Sequence, residues 1–395
     1  MTKEKILVLG AGTGGLVAGN LLAHHGYKVT IVEKKTEHLF QPGMLWIAFQ
    51  GHKPEKYIRP VKELVKPTVN LVQGTVKTID LDERKVELAD GRSLDYDYLV
   101  VALGSTLAYE ELEGHKELVE KYGDFYSGAQ NAAKFWSHFS QLKEGTLVIA
   151  AADPLYKCVP APHKAVFLST YTLKKKGLLG KVKVKLAVPF IYEYPNETIS
   201  EILRPVFEER QIEVYTMFTV DRISLEEKKI YSLEGEELEF DLAAVIPFHK
   251  GPDVEFKQEG ITDADRFIKV NKYKLNIEGY DDAFAIGDCN NAPTSKTGVT
   301  AHLGAEVVVD QIMGYEAKFT GRTNCPVVTN GEALFVISDY DNPPVHVKLS
   351  KMKRLMEDFF IASYWSSLRE PEKWRTLFGA YFKATEPAVL KERGW

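Results

Sequence analysis

One run of residues limits this chain more than any other: Gly10-Ala11-Gly12-Thr13-Gly14-Gly15. It sits directly behind the apolar stretch Lys5–Leu9 and ahead of a helix-like run over residues 16–25. The spacing Gly10-x-Gly12-x-x-Gly15 calls for a strand, a tight turn and a helix. Gly10 makes the turn, Gly12 lets the backbone approach a pyrophosphate, and Gly15 lets helix and strand pack closely. The helix N-terminus then offers free N–H groups to the phosphates. A second strand, residues 28–32, ends at Glu33, whose carboxylate can accept from ribose hydroxyls. A lone GxGxxG is weak evidence, and a glycine-rich turn without ligand is the alternative. With strand, helix and acidic residue in register, Gly10, Ala11, Gly12, Gly15 and Glu33 read as a dinucleotide site.

Beyond this opening, strands alternate with helices to about residue 247, and a long helix follows from about 298 to 313. Residues 69–80 and 85–88 read as strands around the turn at 89–92. Such alternation predicts an α/β fold of two Rossmann-like domains with largely parallel sheets. The expected division is residues 1–110 for the first part of a dinucleotide domain and 111–262 for a second Rossmann-like unit. Residues 263–325 would return to the first domain, and 326–395 would form a C-terminal module. The net charge of -5 and the lack of any basic block exclude a nucleic-acid surface. Cys158, Cys289 and Cys325 are too few for a secreted disulfide framework and lack metal-site spacing, so no metal is expected. With no signal peptide and no span of ~18 apolar residues, the expectation is a protein on the cytoplasmic side.

Two later segments resemble flavoprotein disulfide reductases. Residues 98–105 (YLVVALGS) match their strand-then-glycine segment. Residues 283–288 (AFAIGD) match their closing flavin motif, in which the aspartate binds the ribityl chain. The resemblance implies FAD, with Gln41, Pro42, Val76, Gly104, Ser105, Gly287, Asp288, Lys296, Thr297 and Gly298 completing the cofactor-binding set. Flavoproteins of this class usually carry a second GxGxxG for a nicotinamide. Here the strand over 146–151 runs into residues 152–158 (ADPLYKC), and no glycine lies between Gly145 and Gly177. A pyrophosphate could not come close to that turn, and Pro154 has no N–H to offer. A cysteine stands there instead.

Residues 157–164 (KCVPAPHK), 286–297 (IGDCNNAPTSKT) and 324–329 (NCPVVT) are similar to the sulfide:quinone oxidoreductases, particularly the branch that includes the mitochondrial enzyme. The likeness covers nearly the whole chain. It implies that Cys158 and Cys325 are the redox pair, with sulfide added to one and electrons leaving through the other. Two-electron oxidation of a soft nucleophile needs such a pair: exchange on a disulfide leaves a persulfide and a free thiolate. Val159-Pro160 departs from the small residues common in the family. Residues 104–141 lack the third cysteine that some branches use, which argues against covalent flavin. Cys289, beside the flavin aspartate, reads as a packing residue. Lys296 reads as a cation that stabilises reduced flavin, with a solvated loop lysine as the alternative. His163, His249 and His302 read as structural.

After Cys325 come a strand over 333–338 and two helical stretches. In the second, Trp374, Leu377, Phe378, Tyr381 and Phe382 share one face, and Lys373, Arg375 and Lys383 lie on others. Aromatic amphipathic helices with basic flanks suit a membrane interface. A lid or a dimer contact fits the periodicity equally, and the family resemblance favours membrane attachment. The implied partners are sulfide, a membrane quinone and the membrane surface itself. A type II NADH:quinone oxidoreductase and an idle flavoprotein scaffold are the rival readings.

Overall fold

The computed structural model describes residues 4–343 and 348–384, with side chains to residue 381. The run Lys5–Leu9, apolar from Ile6 on, forms the central strand of a parallel sheet and is buried from its second residue onward. Its neighbours are Lys28–Glu33 on one side and Tyr98–Val101 on the other. Asn70–Gln73 and Ala283–Ala285 complete five strands at the two edges. Strands buried on both faces need cover on both faces, and helix α1 (Thr13–His24) provides it on one.

The glycine turn ahead of α1 leaves no room for side chains at two points. A Cβ on Gly10, at φ +99°, would lie 2.5 Å from the Ala102 carbonyl oxygen, and one on Gly15 would lie 1.9 Å from that of Gly10. A Cβ on Gly12 would come no nearer than 4.0 Å to the Ala102 oxygen. Packing within the protein therefore fixes Gly10 and Gly15, and the open side of the turn lies at Gly12.

The stretch read as one strand over residues 69–80 is two strands in different sheets. Asn70–Gln73 joins the parallel sheet, while Val76–Asp80 pairs with Lys85–Leu88 and Glu255–Phe256 in a smaller sheet. The chain redirects at Gly74, where a Cβ would lie 2.9 Å from the Leu88 side chain.

A second parallel sheet runs in the order Ile212–Tyr215, Val182–Ala187, Gly145–Ala151, Leu242–Ile246. Its core continues into helix α2 (Gly43–Gln50), which belongs to the first half of the sequence, and into helix α3 (Ala161–Lys175). Two antiparallel segments, Thr106–Ala108 and Phe248–Lys250, mark where the chain leaves and re-enters between the two sheets. Helix α4 (Gly298–Ile312) packs along α1. Beyond it, the hairpin of Thr323–Val328 and Ala333–Ser338 carries helices α5 (Lys351–Arg369) and α6 (Pro371–Ala384). No helix among the described residues is long and apolar enough to cross a membrane.

Candidate active site

A cavity of about 240 Å³ lies where the two parallel sheets, the hairpin and α5 meet. Thr13 of the phosphate turn, Gln41 and Pro42 ahead of α2, and Asp288, Lys296, Thr297 and Gly298 line it. So do Cys158, Lys164, Cys325 and, from α5, Glu357, Phe360 and Tyr364. Residues scattered from 13 to 364 thus converge on one space.

Cys158 holds a backbone conformation unusual for a residue with a Cβ, φ +60°. Two hydrogen bonds keep it there. Its N–H donates to the Lys296 carbonyl (2.9 Å), and its carbonyl accepts from the N–H of Ala161 (2.7 Å), the first residue of α3. The segment that would cradle a phosphate in a nicotinamide domain instead folds inward and presents a sulfur. Cys325 comes from the middle of Thr323–Val328, opposite Val336 in the hairpin. Its Sγ lies 3.5 Å from Thr323 Oγ1. Burial pushes the Cys158 thiol up to about 11 and also raises Cys325; the charge of Cys325 acts on Cys158 in the same direction. Lys164, one turn into α3, opposes the effect at both sulfurs. Cys158 keeps some accessible surface, and that surface faces the cavity.

Lys296 is buried, with Nζ donating to the carbonyls of Asn290 (2.7 Å) and Asp288 (3.2 Å) and lying 4.0 Å from the centre of the Phe267 ring. Burial lowers its pKa and the Asp288 carboxylate counters that. Thr297 caps α4, its Oγ1 accepting from the N–H of Thr300. Cys289 is fully buried, its Sγ directed at the carbonyls of Val101 and Ile286 and away from the cavity. His163 does not line the cavity; its Nε2 meets the Glu193 carbonyl at 2.6 Å. His249 contacts the Pro247 carbonyl, and His302 lines the cavity wall on α4.

The residues fit a dinucleotide flavin. The first turn of α1 has no side-chain cap and no acidic residue, so its N–H groups are free for an anion beside the open Gly12. Glu33 Oε2 accepts from the Ala11 N–H (2.7 Å) at the end of the adjoining strand. Gly104 adopts φ +73°, and after it Ser105 Oγ is buried with no hydrogen-bond partner in the protein, left for a bound molecule to satisfy. Gly287, at φ +74°, turns Asp288 into the cavity. The Val76 side chain lies in the apolar core of the first unit, in register with Leu88; like Gly10, Glu33 and Ser105, it stands outside the cavity lining.

The sequence reading missed Lys164, Glu357, His38 and Tyr364. Lys164 and Glu357 are both buried, and burial raises the Glu357 carboxyl while Lys164 opposes it. The one available signal was their position: Lys164 closes the KCVPAPHK run, and Glu357 interrupts the apolar face of α5.

The tail also differs from expectation. Arg375 pairs with Asp310 and lies 3.7 Å from Glu306, both on α4. Lys373 pairs with Glu370. Trp374 and Phe378 pack against Phe359 and Phe360 of α5. Acidic residues on α4 hold Arg375 of α6, and the exposed apolar residues are Met352 (64%), Leu355 (63%), Phe359 (50%) and Leu377 (49%). Phe382 and Lys383 have side chains outside the described residues.

Residues 4–149 match the family described as pyridine nucleotide-disulphide oxidoreductase. The chain is 26% identical over 356 residues to the mitochondrial sulfide:quinone oxidoreductase of Mus musculus, covering 85% of this chain and 78% of that one. It is 28% identical over 343 residues to the mitochondrial sulfide:quinone oxidoreductase of Dictyostelium discoideum, covering 82% and 75%. The X-ray structure of the sulfide:quinone oxidoreductase from Aquifex aeolicus shares the fold, with TM-score 0.81 at 22% identity over 93% of this chain and 91% of that one.

Proposed function

Taking the chain as an FAD-dependent oxidoreductase homologous to the sulfide:quinone oxidoreductases, we propose that it oxidises sulfide at Cys158 and Cys325 and delivers the electrons to a quinone. The observation that supports this most is the meeting of the two cysteines. They lie far apart in sequence, Cys158 in the turn ahead of α3 and Cys325 on a strand of the hairpin, and line one cavity with Asp288 and Lys296 of the flavin segment.

In the oxidised form the two sulfurs are joined. HS⁻ attacks one of them, a new S–S bond forms, the bridge breaks, and the products are a persulfide and a thiolate. Lys164 stabilises the thiolate that leaves, against the burial that disfavours it. Bound FAD supplies the two-electron acceptor that connects this site to the quinone. Loss of two electrons and one proton from the persulfide and thiolate restores the link, now with the extra sulfur held in it. Overall, HS⁻ and a proton convert the quinone to quinol and leave one sulfur atom at the oxidation level of the element. Lys296, fixed on the Asn290 and Asp288 carbonyls, places a cation beside the cavity where negative charge arrives.

The quinone path runs between α5 and α6. Leu355, Met356, Phe359, Phe360, Leu377, Phe378 and Tyr381 form a groove there, and Phe360 and Phe378 belong to both groove and cavity. The exposed apolar side chains of Met352, Leu355, Phe359 and Leu377 rest on the membrane surface, without spanning it.

The test is anaerobic titration of the FAD-loaded protein, followed by flavin absorbance. Sulfide is expected to bleach the flavin and a soluble quinone to restore it. Bleaching by NADH and not by sulfide would refute the reading.

A further inference from the structure

Two side chains grip the phosphate turn at Ala11. Glu33 takes its N–H, as described. From the other side His38 Nδ1 meets the Ala11 carbonyl at 2.8 Å, and His38 Nε2 meets the Tyr364 hydroxyl at 2.7 Å. The same hydroxyl lies 2.9 Å from Oγ1 of Thr13, the first residue of α1. A carbonyl only accepts, so Nδ1 of His38 carries the proton. Burial lowers the pKa of His38 and so favours the neutral ring, in which Nε2 is an acceptor. Tyr364 therefore donates to His38 and accepts from Thr13. All three residues lie in or beside the cavity wall, yet Tyr364 belongs to α5, 351 residues from Thr13.

A second attachment lies further along α1. The amide nitrogen of Asn20, fully buried, donates to the carbonyls of Leu368 at the end of α5 (2.7 Å) and Leu64 (2.8 Å). Its oxygen accepts from the N–H of Lys66 (2.9 Å), whose Nζ in turn pairs with Glu372 of α6 (2.8 Å). The C-terminal helices are thus bonded to the helix that follows the phosphate turn.

We propose that Tyr364 is a flavin-retention residue: acting through His38 and Thr13 it fixes the phosphate turn, so that FAD binding and the docking of α5 are thermodynamically linked. The idea rests on the FAD site alone and is independent of the sulfide chemistry. Linkage is reciprocal. The factor by which docked α5 tightens FAD binding is the factor by which FAD favours docking.

The experiment uses full-length apoprotein titrated with FAD, read by quenching of flavin fluorescence. Tyr364→Phe leaves His38 Nε2 buried without a donor, and FAD binding is expected to weaken about tenfold, the equivalent of about 1.4 kcal/mol. His38→Ala breaks the same chain from the other end and leaves the α5 side chains intact. The double variant is expected to bind FAD no more weakly than the worse single variant, since both remove one connection. In a parallel measurement, limited proteolysis within residues 351–384 is expected to slow when FAD is added to wild type, and to slow less in Tyr364→Phe. FAD affinity within about twofold of wild type in both single variants would overturn the proposal, as would cleavage of α5 that ignores FAD in wild type. If Tyr364→Phe fails to fold, His38→Ala and the wild-type proteolysis decide.

Discussion

The backbone N–H of Cys158 donates to the carbonyl oxygen of Lys296 across 2.9 Å, joining the turn that leads into α3 to the loop that leads into α4. The sulfur site and the flavin segment are therefore one unit. A change that shifts either loop moves Cys158 relative to Lys296 and Asp288, which share one frame with it without sharing a sheet.

Replacing either member of the cysteine pair is expected to stop sulfide-dependent flavin reduction while FAD stays bound. The measurement is anaerobic stopped-flow on Cys158→Ser and Cys325→Ser. A rate above about a tenth of wild type in either variant, a barrier change under about 1.4 kcal/mol, would remove that residue from the pair. Cys289→Ser serves as the control and is expected to react normally, because its sulfur faces the Val101 and Ile286 carbonyls.

The reduced pair is expected to be a poor nucleophile at neutral pH. Burial raises the Cys158 thiol to about 11, so the thiolate is the minority form below that and its alkylation rate rises with pH toward it. Lys164 favours the thiolate, and Lys164→Met is expected to move the Cys158 pKa still higher and slow labelling at about pH 8.5. Mass-spectrometric rates of iodoacetamide labelling across pH check both statements. Faster labelling in Lys164→Met would mean that Lys164 shields the sulfur without charging it.

Lys296→Met is expected to lower the flavin potential and slow its reduction by sulfide. Reduced flavin is more negative than oxidised flavin, and a fixed cation beside the cavity favours it. The expected effect is on the order of 1–3 kcal/mol, that of losing a charge-assisted contact. A potentiometric titration gives the answer, and an unchanged potential would confine Lys296 to its hydrogen bonds with Asn290 and Asp288.

Membrane docking is best tested by point changes on the exposed face of the tail. Removing residues from 351 onward would take away Tyr364 and the Leu368 carbonyl, and is expected to cost FAD as well as docking. Leu355→Glu with Leu377→Glu alters only exposed side chains. The double variant is expected to remain at the bottom of a liposome flotation gradient while sulfide still bleaches its flavin. High salt is expected to release little of the wild type, because Arg375 and Lys373 are already paired within the protein. Equal flotation of variant and wild type would make the exposed face irrelevant to the membrane.

The order of Gly10, Gly12, Gly15 and Glu33 was enough to give the first βαβ unit, because a tight turn and a close helix crossing have no other solution at those positions. The missing glycines after residue 145 likewise argued against a second phosphate turn, since backbone reach is a local property. The cysteine pair could be suggested only by resemblance, because nothing local says that residues 158 and 325 share a cavity. Tertiary structure alone decided the rest. The pairing of Arg375 with Asp310 depends on where α4 packs, and the entry of Val76 into a different sheet from Asn70–Gln73 depends on the redirection of the chain at Gly74. His38, Tyr364 and Thr13 carry no mutual signal in sequence. Hydrogen bonds between groups hundreds of residues apart depend on where the two helices α1 and α5 come to rest, and that position is set by packing across the whole fold.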